Sequence, residues 1–186
     1  MKKLSEKEQK MLDMDNDLRF YSTDYTDKKV IDIAQQAIDF AYENFKEPET
    51  VFKGFLYKYE CEIENVALGI DAHLQKNKEN KKSLLIKQFV LDIINNEIYG
   101  EGRSGFVHLL YILKMDEDLR NIATNQKDFW ETPRMSFQLL YALYRRKIKG
   151  FTKEAETLIA NYPKETELKK YAKKYIEQQY APKKYQ

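Results

Sequence analysis

The stretch GEGRSGFV, from Gly100 to Val107, has residue types and spacing that could bind phosphate. Its glycines follow the dinucleotide-binding pattern G-x-G-x-x-G, and Val107 extends the match to the glycine loop of protein kinases. Glycine lets such a loop approach phosphate closely at the start of a helix. A dinucleotide loop follows a strand, but residues 83–99 have a helical pattern, and neither H-R-D nor D-F-G comes later in the chain.

The sequence therefore predicts a joint between two helices at these glycines. Gly100 is expected to end the first helix and Ser104 to cap the second. One alternative is an anion site formed by the backbone N–H groups after Ser104, with Arg103 beside them. Another is an enzyme or small-ligand site assembled from distant residues around His108 and the same glycines.

The acidic stretch from Asp13 to Asp24 could chelate calcium. Its carboxylates stand at positions 1, 3, 5 and 12, as in an EF-hand loop. Leu18, however, stands where that loop needs glycine, and Asp24 replaces the longer glutamate that usually binds last. We therefore expect a polar loop that caps its neighbours. No metal site is expected elsewhere, because the chain has only 2 histidines and 1 cysteine.

The histidines and the cysteine offer little for catalysis. His108 lies in an apolar run and is expected to be a hydrogen-bonded core residue, whereas His73 is expected at the surface. A general base needs a partnered nucleophile or carboxylate, and the local sequence gives His108 only Ser104 at i−4. The glutamates around Cys61 disfavour a reactive thiolate. We expect no catalytic residues and no cofactor, and hence a protein that is not an enzyme.

The composition fits a folded protein of the cytoplasm, with 42% hydrophobic and 33% charged residues. No apolar stretch approaches the roughly 20 residues that span a bilayer, and no apolar leader follows the charged N-terminus. The single cysteine suits a reducing compartment. We expect one helical domain over 1–186, with a peripheral acidic segment at 1–26, a disordered tail at 181–186 and no membrane span.

Helical periodicity runs through almost the whole chain, which has only 6 glycines and 4 prolines. Apolar residues recur at three- and four-residue steps from Val30 to Phe45, for example. Thr50 is expected to cap the next helix, and Thr132-Pro133 to start a later one that Gly150 ends. The pattern predicts an all-α fold of about seven helices, either an irregular multi-helix bundle or stacked helical hairpins.

The helix from Pro133 carries a narrow basic and aromatic strip. Its apolar residues cover most of a helical wheel, and the remaining strip consists of Arg134, Gln138, Tyr141, Arg145 and Lys149. Arginine and tyrosine often dominate the energy of protein interfaces. We expect these residues to bind a partner, with an ordinary solvated face as the alternative.

The C-terminal third is basic. Residues 131–186 carry 13 basic and 6 acidic side chains, a net charge of +7, whereas residues 1–50 carry 8 and 12, a net charge of −4. A basic face can contact the phosphate backbone of a nucleic acid, for which Arg145, Lys170 and Lys174 are the candidate residues. No helix-turn-helix, RNA-recognition or zinc-finger signature accompanies them.

Together these features predict a protein–protein interaction domain. One example would be a bacterial immunity or antitoxin-type inhibitor, whose charged helical surface covers a partner protein. The alternative is a nucleic-acid-binding helical protein that uses the basic C-terminal third. The sequence leaves the identity of the partner and the oligomeric state open.

Overall fold

The computed structural model describes residues 4–51, 54–76 and 78–180, and within them it is almost entirely helical. The α-helices of this part of the chain are α1 (Glu6–Asn16), α2 (Asp27–Asn44), α3 (Lys58–Lys76), α4 (Leu84–Ile94), α5 (Ser104–Leu113), α6 (Asp116–Asn125), α7 (Pro133–Arg146), α8 (Thr152–Asn161) and α9 (Thr166–Tyr180). Two short strands, β1 (Pro48–Val51) and β2 (Gly54–Tyr57), precede α3. The all-α class is confirmed, and the described residues hold nine helices instead of about seven.

The chain divides into two compact units. The N-terminal unit, Met1–Leu113, contains α1 to α5 and the two strands, and the C-terminal unit, Lys114–Gln186, contains α6 to α9. One domain over 1–186 stays a prediction, and the tail at 181–186 lies outside the described residues.

Helix α3 is the centre of the N-terminal unit, where it packs against α1, α2 and α5. The face predicted for α2 is buried, and it comprises Val30, Ala34, Ala37, Ile38 and Ala41. Thr26 is the N-cap of that helix, because its hydroxyl oxygen accepts a hydrogen bond from the Lys29 N–H at 3.3 Å. The facing side of α3 buries Ile63, Val66, Ala67, Ile70 and Leu74.

The helix predicted to begin at Thr50 begins at Lys58 instead. Residues 48–51 and 54–57 pair as antiparallel strands, with Pro48 opposite Tyr57. Long-range backbone bonds hold this arrangement, since the N–H of Lys58 donates to the Glu47 carbonyl and the N–H of Tyr59 to the Phe45 carbonyl, both at 2.9 Å. The first turn of α3 is therefore fixed by the end of α2, which a local capping signal cannot reveal.

The acidic stretch from Asp13 to Asp24 is helical, not the polar loop that the sequence predicts. Helix α1 continues into a π-helical turn, Asp17–Tyr21, and a 3-10 turn, Ser22–Asp24. Leu18 replaces the glycine of an EF-hand loop, and its side chain is fully buried. At the other end Ser5 and Glu8 form a capping box, whose hydrogen bonds, together with nearby Lys58, lower the pKa of Glu8 to about 2.

In the C-terminal unit, α9 packs against both α7 and α8. The predicted start of α7 is confirmed: the hydroxyl of Thr132 accepts the Met135 N–H at 3.4 Å, and Pro133 is the first helical residue. The predicted end is wrong, because α7 stops at Arg146 and Lys147, not Gly150, is the left-handed residue, with φ of 56°. The Ile148 N–H then reaches back to the Leu143 carbonyl at 2.9 Å.

Tyr175 anchors α9 to the residues that follow α7. Its side chain is fully buried, its hydroxyl donates to the Ile148 carbonyl at 2.9 Å, and its oxygen accepts the Phe151 N–H at 3.2 Å. Burial raises the pKa of this phenol, so that it stays protonated and able to donate. The anchor fixes the position of α9 beside α7, where the candidate surface lies.

Candidate interaction surface on the C-terminal unit

The strip predicted on α7 is partly exposed. Arg134, Gln138 and Tyr141 are half-buried, and Arg145 is exposed. Lys149 is also exposed but lies beyond the end of α7, so it does not continue the helical face as the wheel predicts. Its ammonium instead donates to the Gln179 carbonyl near the end of α9, at 3.3 Å.

Four aromatic rings from α7 and α9 form a cluster beside this strip. Tyr171 of α9 meets Phe137, Tyr141 and Tyr144 of α7 edge-to-face, with ring centroids 5.5, 5.2 and 6.1 Å apart. Phe137 also stacks on Tyr141 at 6.2 Å. These distances and angles are the ones that aromatic pairs prefer. All four rings are half-buried, so the cluster both joins the two helices and presents aromatic surface to solvent.

Three cationic groups lie over two of these rings. The guanidinium carbon of Arg145 lies 5.7 Å from the centroid of Tyr141. The ammonium groups of Lys170 and Lys174 lie 5.7 and 5.1 Å from the centroid of Tyr171. Within about 6 Å, a cation is attracted by the electron-rich ring face. Lys170 also forms an ion pair with Glu167 at 3.1 Å.

The two sets of residues predicted separately therefore meet at one place. We call it the α7–α9 surface, and it consists of Phe137, Tyr141, Tyr144, Arg145, Lys170, Tyr171 and Lys174. The sequence prediction did not include Phe137, Tyr144 or Tyr171, because a helical wheel places all three among the apolar residues of their helices. The signal was present as aromatic residues at i, i+4 and i+7 from Phe137, a spacing that keeps rings on one side of a helix.

The glycine joint, Gly100–Gly105, lies between two helices as predicted, but Gly100 does not end the first of them. Helix α4 ends at Ile94, and Gly100 interrupts a 3-10 segment, Glu97–Arg103, that leads into α5. The backbone of the joint does meet an anion, but that anion is the protein's own Glu60. One carboxylate oxygen of Glu60 accepts the Glu101 N–H at 2.7 Å, and the other accepts the Tyr57 N–H at 2.8 Å. Gly100 has φ of 53°, and a Cβ there would lie 1.9 Å from that carboxylate.

Arg103 and Ser104 do not serve the roles that the sequence suggests. Arg103 is buried, and its guanidinium donates to the carbonyls of Gly100 and Ile94 at 2.9 and 3.2 Å. Ser104 already has helical backbone angles and is the first residue of α5, so it is not the N-cap of that helix, and its hydroxyl donates to Glu64 at 3.4 Å. These side chains stabilise the joint from inside the unit.

Neither histidine has the environment predicted: His73 is in the core instead of at the surface, and His108 is only half-buried. His73 is only 1% exposed, and its Nδ1 donates to the Ser22 carbonyl at 2.8 Å while its Nε2 lies 3.0 Å from Asp27. The side chain of His108 is 30% exposed, and its Nε2 lies 3.7 Å from a carboxylate oxygen of Asp71.

The glycine joint and His108 contact different residues of α3. The N–H of Glu101 binds Glu60 and His108 faces Asp71, and these two residues of α3 are separated by about 16 Å along a helix that rises 1.5 Å per residue. Among the described residues, no group of three or more histidine, cysteine, aspartate or glutamate side chains is placed to hold a metal ion.

Comparisons with other proteins give no information about the α7–α9 surface. No family model, no curated protein and no solved structure matches the chain. Over the residues that the structure covers, none of the helices combines the length and the apolar character needed to cross a membrane.

Proposed function

We propose that this chain is a non-enzymatic interaction protein that binds an acidic protein partner through the α7–α9 surface. The observation that carries the proposal is the cluster of four half-buried rings with Arg145, Lys170 and Lys174 over them. Tyrosine and arginine contribute most per residue to protein interfaces, because they combine apolar area with directed hydrogen bonds. An inhibitor of the immunity or antitoxin type is a narrower form of the same proposal.

The physical case for a protein partner rests on how the rings are held. Each ring packs against at least one other ring, so little side-chain freedom remains to be lost when a partner binds. The cations beside the rings would steer an acidic surface toward them and fix its orientation. The basic charge of residues 131–186, a net +7, gives the same preference at longer range.

The test is affinity capture of the full chain from lysate of the organism that encodes it, followed by mass spectrometry and measurement of affinity. We expect one acidic protein in a stoichiometric complex. Reversing three charges, with Arg145→Glu, Lys170→Glu and Lys174→Glu together, should weaken that complex by about 100-fold or more, since each lost pair becomes a repulsion. Hydrogen exchange in the complex should be slowed in α7 and α9.

A matched control separates this surface from general charge. Lys127→Glu, Lys153→Glu and Lys164→Glu change the net charge equally and lie at exposed positions of the same unit. They should weaken the complex by less than about tenfold, through long-range charge alone. A complex that survives the first triple variant, or that both triple variants weaken equally, contradicts the proposal.

Binding of single-stranded nucleic acid is a second candidate, because such sites combine cations with aromatic rings on which bases stack. Arg145, Lys170 and Lys174 would contact phosphate, and Tyr141 and Tyr171 would face the bases. A gel shift with a steep salt dependence that the same triple variant abolishes would support it. Binding retained by that variant would rule this candidate out.

A further inference from the structure

A second aromatic site, with the opposite charge, lies in the N-terminal unit. The turns that follow α1 form a recess of about 460 Å³. Its lining residues are three aromatic and two acidic, namely Asp17, Phe20, Tyr21, Asp24 and Tyr25. The recess is largely open to solvent and is not an enclosed cavity.

Three of the lining residues belong to the π-helical turn, Asp17–Tyr21, that follows α1. The turn buries Leu18 completely, yet it leaves the rings of Phe20 and Tyr21 66% and 62% exposed. Single π-helical turns of this kind are frequent at functional sites. Large aromatic side chains that remain exposed side by side often mark a binding surface.

The segment is anchored to α3 by hydrogen bonds to its backbone. The carbonyl of Ser22 accepts the Nδ1–H of buried His73 at 2.8 Å. The ammonium of Lys76 donates to the carbonyls of Arg19 and Phe20 at 3.4 and 3.5 Å. These bonds hold the backbone between the rings, so a ligand would meet a largely preformed site.

The lining groups favour a cation with N–H donors. Aromatic faces attract cations, and Tyr25 already holds the ammonium of Lys29, 3.5 Å from its ring centroid. Carboxylates accept hydrogen bonds but donate none when ionised. Within the described part of the chain, neither Asp17 nor Asp24 forms a salt bridge.

We propose that this recess binds a guanidinium group, the side-chain head of an arginine. A guanidinium is planar and can stack on a ring while its N–H groups reach a carboxylate in two parallel bonds. The rings of Phe20 and Tyr21 supply the stacking faces, and Asp17 and Asp24 supply the acceptors. The arginine could be free or part of a peptide, and both sources share this chemistry. The site is independent of the α7–α9 surface.

Amide chemical shifts of the ¹⁵N-labelled full chain would test the assignment by titration. The first probe is blocked arginine, N-acetyl-arginine N-methylamide, and the second is a Gly-Ser-Arg-Ser-Gly peptide with blocked ends. Each is compared with its citrulline counterpart, which keeps the shape but is uncharged. We expect saturable shifts centred on residues 17–25 and binding about tenfold weaker or worse for citrulline. Tighter binding of the peptide would identify a protein source, and equal binding a free one.

Variants at the recess provide the decisive comparison. Asp17→Asn, Asp24→Asn and Phe20→Leu should each weaken arginine binding by about threefold to tenfold. Asp13→Asn removes the same charge from an exposed position on α1 outside the recess, and it should change binding by less than about twofold. Unchanged shifts outside the segment would show that each variant is folded. No saturable shift, equal binding of citrulline, or an equal effect of Asp13→Asn would overturn the proposal.

Discussion

Groups that could bind an anion lie in two regions, the glycine joint of the N-terminal unit and the α7–α9 surface of the C-terminal unit. At the glycine joint the anion is the carboxylate of Glu60, which accepts the N–H groups of Glu101 and Tyr57. On the α7–α9 surface the cations of Lys170 and Lys174 lie over a half-exposed ring. The hydrogen bonds to Glu60 join separate parts of the N-terminal unit to each other. The ring contacts of Lys170 and Lys174, in contrast, leave both side chains exposed to solvent.

The difference teaches how a motif should be judged. A pattern such as G-x-G-x-x-G supplies backbone N–H groups, but those groups bind a ligand only where no group of the protein already occupies them. Glu60 is 41 residues away in sequence from Glu101 and only 7% exposed, so it binds the joint from inside the fold. Buried polar groups are almost always satisfied in this way.

The largest effect that would test this comparison is expected from Gly100→Ala. The new Cβ would lie 1.9 Å from a carboxylate oxygen of Glu60, at a φ of 53° that side chains rarely adopt. The carboxylate would have to leave its hydrogen bonds with the N–H groups of Glu101 and Tyr57 to make room. That loss and the backbone strain together should lower the free energy of unfolding of the N-terminal unit by about 3 kcal/mol. The measurement is hydrogen exchange of the α3 amides.

Gly150→Ala is the matched control for that variant. Gly150 also has a positive φ, 117°, but the nearest atom to its added Cβ is 3.9 Å away. It should show backbone strain alone, about 1 kcal/mol, in the C-terminal unit. If Gly100→Ala costs no more than Gly150→Ala, the close contact with Glu60 is not what fixes the joint.

A smaller effect is expected from Tyr171→Ala on the α7–α9 surface. Tyr171 contacts three rings of α7, so its removal should lower the free energy of unfolding of the C-terminal unit by about 2 kcal/mol. Urea unfolding followed by the fluorescence of Trp130, the single tryptophan, reports on this unit. Tyr180→Ala, on the same helix at a site 73% exposed, should change it by less than about 0.5 kcal/mol. Equal losses would show that the ring cluster does not join the helices.

The third effect concerns the carboxylate that closes the glycine joint. Glu60→Gln keeps the shape but replaces one acceptor oxygen with a donor, which leaves the N–H of Glu101 or of Tyr57 without an acceptor. We expect a loss of about 1–2 kcal/mol in the unfolding free energy of the N-terminal unit. Glu43→Gln, at an exposed position of α2, is the control and should be nearly neutral. If inorganic phosphate restored the unfolding free energy of the Glu60→Gln variant to that of the unchanged protein, the joint would instead be able to bind an external anion.

Sequence reasoning succeeded where structure follows from neighbouring residues. The start of α7 depends on Thr132 and Pro133, and the buried face of α2 depends on a repeat of three and four residues, so both could be predicted. The hairpin before α3 depends on backbone bonds to Phe45 and Glu47, and hence on packing that a local capping signal at Thr50 does not contain.

In the candidate sites, too, features set by neighbouring residues could be predicted and features set by distant residues could not. His73 looked exposed because its partners, Ser22 and Asp27, lie 51 and 46 residues earlier in the chain. Tyr141 and Arg145 could be found on a helical wheel, as could the lysines of α9. That Tyr171 joins them could not, because this depends on how α7 and α9 pack.

The smallest effect on stability is expected from Lys174→Gln, and it completes the comparison with Glu60. The Lys174 ammonium is exposed and interacts with the ring of Tyr171 at 5.1 Å, which is worth about 0.5 kcal/mol at such a site and less at high salt. Urea unfolding followed by Trp130 fluorescence, at low and at high salt, measures this loss of stability. Lys173→Gln, at the neighbouring exposed position, is the control. Glu60→Gln should cost stability but leave binding of the acidic partner unchanged, whereas Lys174→Gln should barely affect stability and yet weaken that binding. A stability loss from Lys174→Gln as large as that from Glu60→Gln would mean that the surface charges, too, serve the fold.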